Sequence, residues 1–251
     1  NYKGLNLLKS NSANIQKIRG KNISAIFQEP MSSLNPLHTV EKQINEVLMI
    51  HSPIKYKEAS KITKNLLIQV GLENISNRIK CFPHELSGGQ RQRVMIAMSI
   101  ANKPDLLIAD EPTTALDVTI QAQLLDLIKR LRQELGMSII WITHDLAVVA
   151  GMADRVAVMY GGFIVEEAPV EELFSNPKHP YTIGLIESTP LITENRTRLT
   201  PIEGIVPNPF SMPTGCAFNP RCSDSINECT EKMPDLKQHK DQRMIRCWKY
   251  A

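Results

Sequence analysis

The sequence lacks a phosphate-binding loop of the form G-x-x-x-x-G-K-[ST]. The nearest stretch, Arg19-Gly20-Lys21-Asn22, has Asn22 where Ser or Thr is required, and Ile15 where the first Gly is required. A long apolar run is also missing, because the apolar stretch 138–142 continues directly into a polar Thr-His-Asp sequence. These 251 residues therefore hold no complete loop for nucleotide phosphates, and we expect no membrane-spanning helix in them.

A strong excess of one charge is absent too. The 29 Lys and Arg residues nearly balance the 26 Asp and Glu residues, which leaves a net charge of +3. A protein that binds nucleic-acid phosphates usually carries a strongly basic face, so we expect no nucleic-acid partner. The sequence shows no secretory signal, and we expect the chain to work in the cytosol. Because it begins with Asn1 rather than Met, we also expect it to be part of a longer protein.

Short apolar runs alternate with longer amphipathic ones, and this alternation predicts a mainly parallel α/β sheet. Strands are expected at 23–27, 106–109, 138–142 and 156–160, with a hairpin partner from 163, and helices at 41–50, 57–70, 118–135, 145–153 and from Ser87 to before Pro104. The runs at 106–109 and 138–142 have the composition of buried strands. After about residue 176 prolines recur and periodicity fades. We therefore predict one domain over residues 1–175 and a loop-rich extension over 176–251.

Glycines at the start of a helix form the first candidate site. Ser87-Gly88-Gly89-Gln90 precedes a basic, amphipathic run, so unpaired backbone N–H groups and the positive end of the helix dipole lie there. The small glycines let a phosphate approach closely. An alternative is that Ser87 only caps the helix and the glycines only make a turn. The residues by themselves leave both interpretations open.

Acidic residues at a strand end form the second candidate site. Asp110 and Glu111 directly follow the predicted strand 106–109, and His144 follows the next one. Ligands of parallel sheets lie beyond the carboxyl ends of the strands, where these side chains should meet. Asp110 suits a Mg²⁺ ligand, Glu111 suits a group that polarises water, and His144 suits a contact to a terminal phosphate. The alternative is that the two acids merely cap the following turn.

Taken in order, these residues resemble the ATPase subunit of an ABC transporter. The resemblance rests on Gln28, Ser87-Gly88-Gly89-Gln90, the strand with Asp110 and Glu111, Ala115-Leu116-Asp117, and His144. It implies a P-loop NTPase-like ABC ATPase core that lacks its first strands, with a helical signature subdomain at about 28–100. By this resemblance, Gln28 is the Q-loop glutamine that contacts Mg²⁺, and Ser87 to Gln90 form the signature. Asp110 is the Walker B aspartate and Glu111 is the catalytic glutamate. Asp117 is the D-loop aspartate and His144 is the switch histidine.

The resemblance also implies why one half of an ATP site occurs alone. In this family the signature helix serves the ATP held by the opposite subunit, and the missing phosphate loop would lie upstream of the strand at 23–27. We therefore expect the full-length protein to hydrolyse ATP with Mg²⁺, and these 251 residues alone neither to bind ATP tightly nor to hydrolyse it.

Three stretches resemble the oligopeptide/dipeptide importers, a branch that also includes nickel importers. They are 26–40, 111–128 and 171–190, together with "PTGCAFNPRC" at 213–222. The resemblance implies the following partners: a second, related ATPase chain; two transmembrane permease subunits; and, indirectly, an extracytoplasmic binding protein. It places the chain peripherally on the cytoplasmic face of the membrane. Two alternatives stay open: a nickel importer subunit, and a soluble ABC ATPase that does not serve transport.

Four cysteines cluster near the end of the chain, at Cys216, Cys222, Cys229 and Cys247. In a reducing compartment such a cluster favours metal over disulfides. Their C-x5-C, C-x6-C and C-x17-C spacings do not match the paired C-x2-C of common zinc ribbons. Similar tails in the resembling family carry a [4Fe–4S] cluster, which is our preferred hypothesis. Zinc and no metal at all remain the alternatives.

Overall fold

The structure is a computed structural model that describes residues 1–28, 34–114, 116–189, 201–239 and 242–250. The chain forms two compact units, residues 1–144 and 145–251. We describe each unit by itself. The domain boundary predicted between residues 175 and 176 stays a prediction. The two compact units divide the chain earlier, between residues 144 and 145.

The first unit is built on a parallel sheet of three strands in the order β1-β2-β3. These strands are β1 (Ile23–Ile26), β2 (Leu106–Asp110) and β3 (Ser138–Ile142). Ala109 of the central strand pairs with Ile26 on one side and with Trp141 on the other. The carboxyl ends of all three strands therefore lie at one edge of the sheet, as the sequence predicted.

Helices connect and cover these strands. They are α1 (Ser12–Ile18), α2 (Val40–His51), α3 (Tyr56–Gln69), α4 (Glu73–Ser76), α5 (Gly88–Ile100) and α6 (Val118–Leu135). The longest, α6, begins where the Asp117 side chain accepts a hydrogen bond from the Ile120 N–H and ends at Gly136, whose φ is 64°. Its apolar side, including Leu124, Ile128 and Leu131, is buried. The predicted helices at 41–50, 57–70 and 118–135 are confirmed.

The expectation that strand 138–142 is buried is wrong. Ile140 and Ile142 are 49% and 47% exposed, and Trp141 is only partly covered. Exposure alternates along β3: Ser138, Ile140 and Ile142 are exposed while Ile139 and Trp141 are partly covered, so one face of the strand lacks cover, whereas Leu107 and Ala109 of β2 are fully buried. An apolar run predicts a strand but does not fix its place in the sheet.

The second unit contains an antiparallel sheet in the order β4-β5-β7-β6. Its strands are β4 (Arg155–Tyr160), β5 (Phe163–Pro169), β6 (Lys237–Gln238) and β7 (Met244–Ile245). Its helices are α7 (Leu146–Met152), α8 (Val170–Ser175), α9 (Pro180–Glu187) and α10 (Asn227–Glu231). The predicted hairpin corresponds to β4 and β5. Two strands of the extension complete this sheet, so the extension packs against the hairpin. No helix in the described ranges is both long and apolar enough to cross a bilayer.

Candidate functional site

Glu111 lies directly after β2, and its backbone is unusual. Its φ is 43°, in the left-handed region that residues other than glycine rarely adopt. Such a conformation costs about 1–3 kcal/mol and persists only where neighbouring contacts impose it. Here the Glu111 N–H donates to the Ile142 carbonyl at 2.9 Å, and the Thr114 N–H donates to the Glu111 carbonyl at 3.1 Å. These two bonds fix the direction in which the carboxylate leaves the sheet.

Side chains from three segments converge on the Glu111 carboxylate. The Gln28 Nε2 donates to Oε2 at 3.1 Å, and the Thr114 hydroxyl donates to the same oxygen at 2.8 Å. The His144 Nδ1 lies 2.9 Å from Oε1. Gln28 follows β1 and His144 follows β3, so the strand order itself gathers these residues. The prediction that strand-end residues meet here is confirmed for Glu111 and His144; Gln28, which only the family resemblance had singled out, joins them.

The hydrogen bonds to Glu111 also control its ionisation. The bond from His144 and then the one from Thr114 lower the pKa of the Glu111 carboxyl, while partial burial opposes them. The Glu111 side chain is 22% exposed and that of His144 is 78% exposed. The site is therefore an ionised carboxylate held by donors at an accessible edge of the sheet.

Asp110 is the last residue of β2 and pairs in register with Ile142. It lies at the same sheet edge as Gln28, which follows two residues after Ile26, the partner of Ala109. A carboxylate and a side-chain amide oxygen are ligands that Mg²⁺ accepts. This donor chemistry fits a magnesium site; the roles of Asp110 and Gln28 as its ligands remain a prediction.

The signature residues take part in a different set of hydrogen bonds. The Gln90 N–H donates to the Ser87 hydroxyl oxygen at 3.3 Å, and the Ser87 N–H donates to the Gln90 side chain at 3.0 Å. This reciprocal pair is a capping box, so the capping interpretation of Ser87 holds in this structure. A Cβ placed on Gly88 would have nothing within 4 Å, whereas one on Gly89 would lie 3.5 Å from Ile120 Cγ2. Gly88 thus faces open space at the helix start, and Gly89 packs against α6.

Asp117 caps α6, because its carboxylate accepts the Ile120 N–H at 2.9 Å. Ile120 is the same residue that Gly89 approaches, so Asp117 and the signature helix meet at the first turn of α6. Of the predicted Ala115-Leu116-Asp117 motif, Ala115 lies outside the described residues.

The four clustered cysteines line one cavity of about 330 Å³ in the second unit. The Cys216 N–H donates to the Cys229 carbonyl at 2.8 Å. Gly215 makes this approach possible: its φ is 75°, and a Cβ there would lie 2.2 Å from the Cys229 oxygen. Aromatic Phe218 and Trp248 form part of the wall. The chain is therefore built to gather these thiols.

Burial raises the pKa of the Cys216 and Cys247 thiols and raises the pKa of Cys222 to about 11. These three thiols are therefore neutral near pH 7 without a metal. Among the residues that the structure describes, no group of three or more His, Cys, Asp or Glu side chains is arranged to hold a metal ion.

Sequence reasoning missed Thr114, although it lies three residues after Glu111, a spacing that a single turn brings together. It also missed Glu166, His179 and Arg243, which are buried and bonded to one another. Buried ionisable residues stand out only when burial is known. In the sequence, Glu166 and Arg243 look like ordinary surface charges.

The geometry defines a class: a nucleotide-binding α/β domain with strand-end acids and a glycine-started helix. Solved structures agree. The ATP-binding cassette MJ0796, in a dimeric post-hydrolysis state bound to ADP and Pi, is 30% identical with a TM-score of 0.57, over 64% of this chain and 68% of that one. CbiO1 from Clostridium perfringens, part of the ABC transporter complex CbiONQ, is 30% identical with a TM-score of 0.55, over 62% of this chain and 60% of that one.

Family models and curated relatives narrow this class. The model described as ABC transporter matches residues 3–114, and that described as oligopeptide/dipeptide transporter, C-terminal region, matches 165–229. The oligopeptide transport ATP-binding protein AppD of Bacillus subtilis is 53% identical, over 93% of this chain and 71% of the relative. The dipeptide transport ATP-binding protein DppD of the same organism is 45% identical, over 98% and 74%. The chain belongs to the oligopeptide/dipeptide family of ABC transporter ATP-binding subunits.

Proposed function

We propose that this chain contributes the Glu111 site of an ATPase subunit that drives the import of oligopeptides or dipeptides across a membrane. The relatives AppD and DppD are named for oligopeptide and dipeptide transport, which favours peptides over nickel as cargo. The matched C-terminal family model supports transport over a soluble, non-transport role. The observation that carries the proposal is the Glu111 carboxylate at the end of β2, held by Gln28 and His144.

Glu111 acts as the group that orients and polarises the attacking water. Its lowered pKa keeps the carboxylate ionised at neutral pH, and an ionised carboxylate can accept a proton from water. His144 is exposed enough to leave Glu111 and contact the terminal phosphate. Bound Mg²⁺, which Asp110 and Gln28 would hold, supplies charge neutralisation for the phosphates. Gln28 thus links the base to the metal position.

The signature residues serve a nucleotide held by a second ATPase subunit. The side of Gly88 that a Cβ would occupy is open, and α5, of 13 residues, directs the positive end of its dipole there. The Ser87 oxygen accepts the Gln90 N–H but keeps its own proton for donation. Asp117, beside this helix start, would lie at the interface between the two ATPase subunits.

Apolar side chains on the segment that follows Gln28 offer a contact for the transmembrane permeases. Leu37 is 81% exposed, Ile50 is 74% exposed and Tyr56 is 48% exposed. Exposed apolar groups in one region commonly mark a protein partner. We propose that this region receives a permease helix and holds the chain on the cytoplasmic face of the membrane, with the extracytoplasmic binding protein acting only through the permeases.

We also propose that the cysteine cavity holds a [4Fe–4S] cluster through Cys216, Cys222, Cys229 and Cys247. The donor set fits, because such clusters take four thiolates and need more room than a single ion. When bound, the cluster supplies a redox-active centre whose potential the surroundings set. Cys216 and Cys229 are buried and Cys222 and Cys247 partly so, which would limit contact between water and the thiolates.

The test of ATP hydrolysis is Glu111→Gln in the assembled importer, since no G-x-x-x-x-G-K-[ST] occurs within the 251 residues. We expect hydrolysis to fall by roughly 10²–10⁴-fold, the usual contribution of a general base, with nucleotide binding retained. Val118→Ala is the control, because this side chain is 83% exposed and lies outside the carboxylate site. Unchanged hydrolysis in Glu111→Gln would remove the proposed role.

The test of the cluster is iron and sulfide analysis of the protein purified without oxygen, with Cys222→Ser as the comparison. We expect iron and sulfide in the unsubstituted protein and a marked loss in the variant, because one of four ligands is gone. Zinc without sulfide, or no metal in either protein, contradicts the cluster.

A further inference from the structure

A buried ion pair in the second unit lies close in the chain to the last cysteine. The Arg243 Nη1 is 2.6 Å from Glu166 Oε1, and the two side chains are 2% and 0% exposed. Arg243 also donates to the carbonyls of Asn176 and Glu172, at 2.8 and 3.2 Å. Burying a charged pair costs desolvation that the attraction need not repay, so the pair is weak evidence for a gain in stability.

The pair fixes the chain segment that delivers Cys247. Arg243 immediately precedes β7, whose Ile245 is registered with Glu166 on β5. The Arg246 N–H also binds this segment to β5, because it donates to the Val165 carbonyl at 2.9 Å. Cys247 is the next residue, so its place at the cavity depends on how this segment is anchored.

The Glu166 carboxylate also holds a second chain segment, at Lys178 and His179, that borders the cysteine cavity. It accepts the backbone N–H of Lys178 at 3.0 Å and that of His179 at 2.8 Å. His179 is 1% exposed and lines the cysteine cavity. Its Nδ1 accepts the Tyr181 N–H at 3.1 Å, so the neutral ring carries its proton on the other nitrogen, and the ring makes a hydrogen bond with the backbone of Arg246. The β5–β7 pairing and the His179 ring therefore both contact the backbone of Arg246, the residue before Cys247.

The other three cysteines do not depend on this network in the same way. The Cys216 N–H bonds to Cys229, while the Asn219 N–H donates to the Cys216 carbonyl at 2.9 Å and the Cys222 N–H donates to the Asn219 carbonyl at 3.2 Å. A chain of backbone bonds thus links these three cysteines. Cys247 comes from a separate segment, with 17 residues between it and Cys229.

We propose that Glu166, Arg243 and His179 are positioning residues that hold Cys247 against the cavity formed by the other three cysteines. The consequence for a [4Fe–4S] cluster rests on the cofactor proposed above, but the positioning itself does not. It makes β5 of the hairpin part of the cysteine site. Loss of the pair should free the Cys247 segment while leaving Cys216, Cys222 and Cys229 together.

The experiment measures alkylation of each cysteine by iodoacetamide, read by peptide mass spectrometry, in the iron-free full chain. The test variants are Arg243→Met, the double variant Glu166→Gln/Arg243→Met, and His179→Phe, which keeps an aromatic ring beside Phe218. The control is Glu172→Gln: this carboxylate also faces Arg243, but at 3.4 Å and with 44% exposure. Cys216 and Cys229 in the same chain serve as internal references.

We expect the rate at Cys247, relative to Cys216, to rise roughly tenfold or more in all three test variants and to stay unchanged in Glu172→Gln, because local opening of the segment becomes easier. The double variant removes both charges of the pair, so it leaves no unpaired buried charge. If its ratio of Cys247 to Cys216 alkylation equals that of the unsubstituted protein, the proposal is overturned. An equal rise at all four cysteines would also overturn it, because the pair would then be only a general stabiliser.

Iron content gives the separate readout. Iron in the unsubstituted protein shows whether the cluster forms at all. The three test variants should retain less iron than Glu172→Gln. If the unsubstituted protein takes up no iron, the cluster fails, while the alkylation ratios still decide whether these residues position Cys247.

Discussion

Gly215→Ala is the substitution for which the structure gives the clearest magnitude. The new Cβ would lie 2.2 Å from the Cys229 carbonyl oxygen and 2.8 Å from the Thr230 carbonyl carbon, both of them backbone atoms. Backbone cannot rotate away as a flexible side chain can, so the segments must separate. Overpacking of this kind costs about 1–3 kcal/mol. The φ of 75° adds about 1–2 kcal/mol for a residue with a Cβ.

The control for this substitution is Gly162→Ala in the same unit. Gly162 has a similar φ of 85°, but a Cβ there would meet nothing within 4 Å. It should therefore lose only the conformational part, about 1–2 kcal/mol. The difference between the two variants isolates the steric clash.

Urea unfolding followed by tryptophan fluorescence provides the assay, since Trp248 forms part of the cysteine cavity wall. We expect Gly215→Ala to lower the free energy of unfolding by about 2–5 kcal/mol and to separate Cys216 from Cys229. A loss no greater than that of Gly162→Ala would refute the close approach of these two segments and, with it, the geometry of the cavity.

Two further predictions concern a buried histidine and the core of the first unit. Burial lowers the pKa of His179 from 6.5 to about 4. The unfolded chain therefore binds more protons between these values, and stability falls as pH drops from 6.5 towards 4. We expect a loss of about 2 kcal/mol between pH 7 and pH 5 in the metal-free chain, and its absence in His179→Phe, in urea titrations at both pH values. Leu131→Ala, at a fully buried position of α6, should cost about 2–5 kcal/mol, whereas Val118→Ala, which is 83% exposed, should change the unfolding midpoint little.

Local patterns predicted most of the elements. Helix α6 was predicted to its boundaries because its apolar face and its stop, Gly136, are local signals. The short strand 106–109 was found because a buried apolar run between polar residues needs no distant information. The exposure of β3 was missed, since the sequence of a strand does not show which of its faces the rest of the fold covers.

The candidate site shows the same division. The sequence located Glu111 and His144 through the rule that strand ends carry the site, and Gln28 through the family resemblance. It did not predict that Thr114 shares Glu111 Oε2 with Gln28, or that Glu111 adopts a left-handed backbone. Such features arise from the exact path of a turn, which depends on contacts made by both neighbouring strands.

The sequence by itself determined the order of strands and helices, the strand-end acids, the glycine-started helix and the four cysteines near the end of the chain. Each is a property of neighbouring residues, such as hydrophobic period, capping or spacing. Only the tertiary structure decided which charges are buried, that the four cysteines line one cavity, and that Glu166 of the hairpin pairs with Arg243 near Cys247. Residues 77 positions apart meet only when the chain folds, because their pairing depends on the whole route between them.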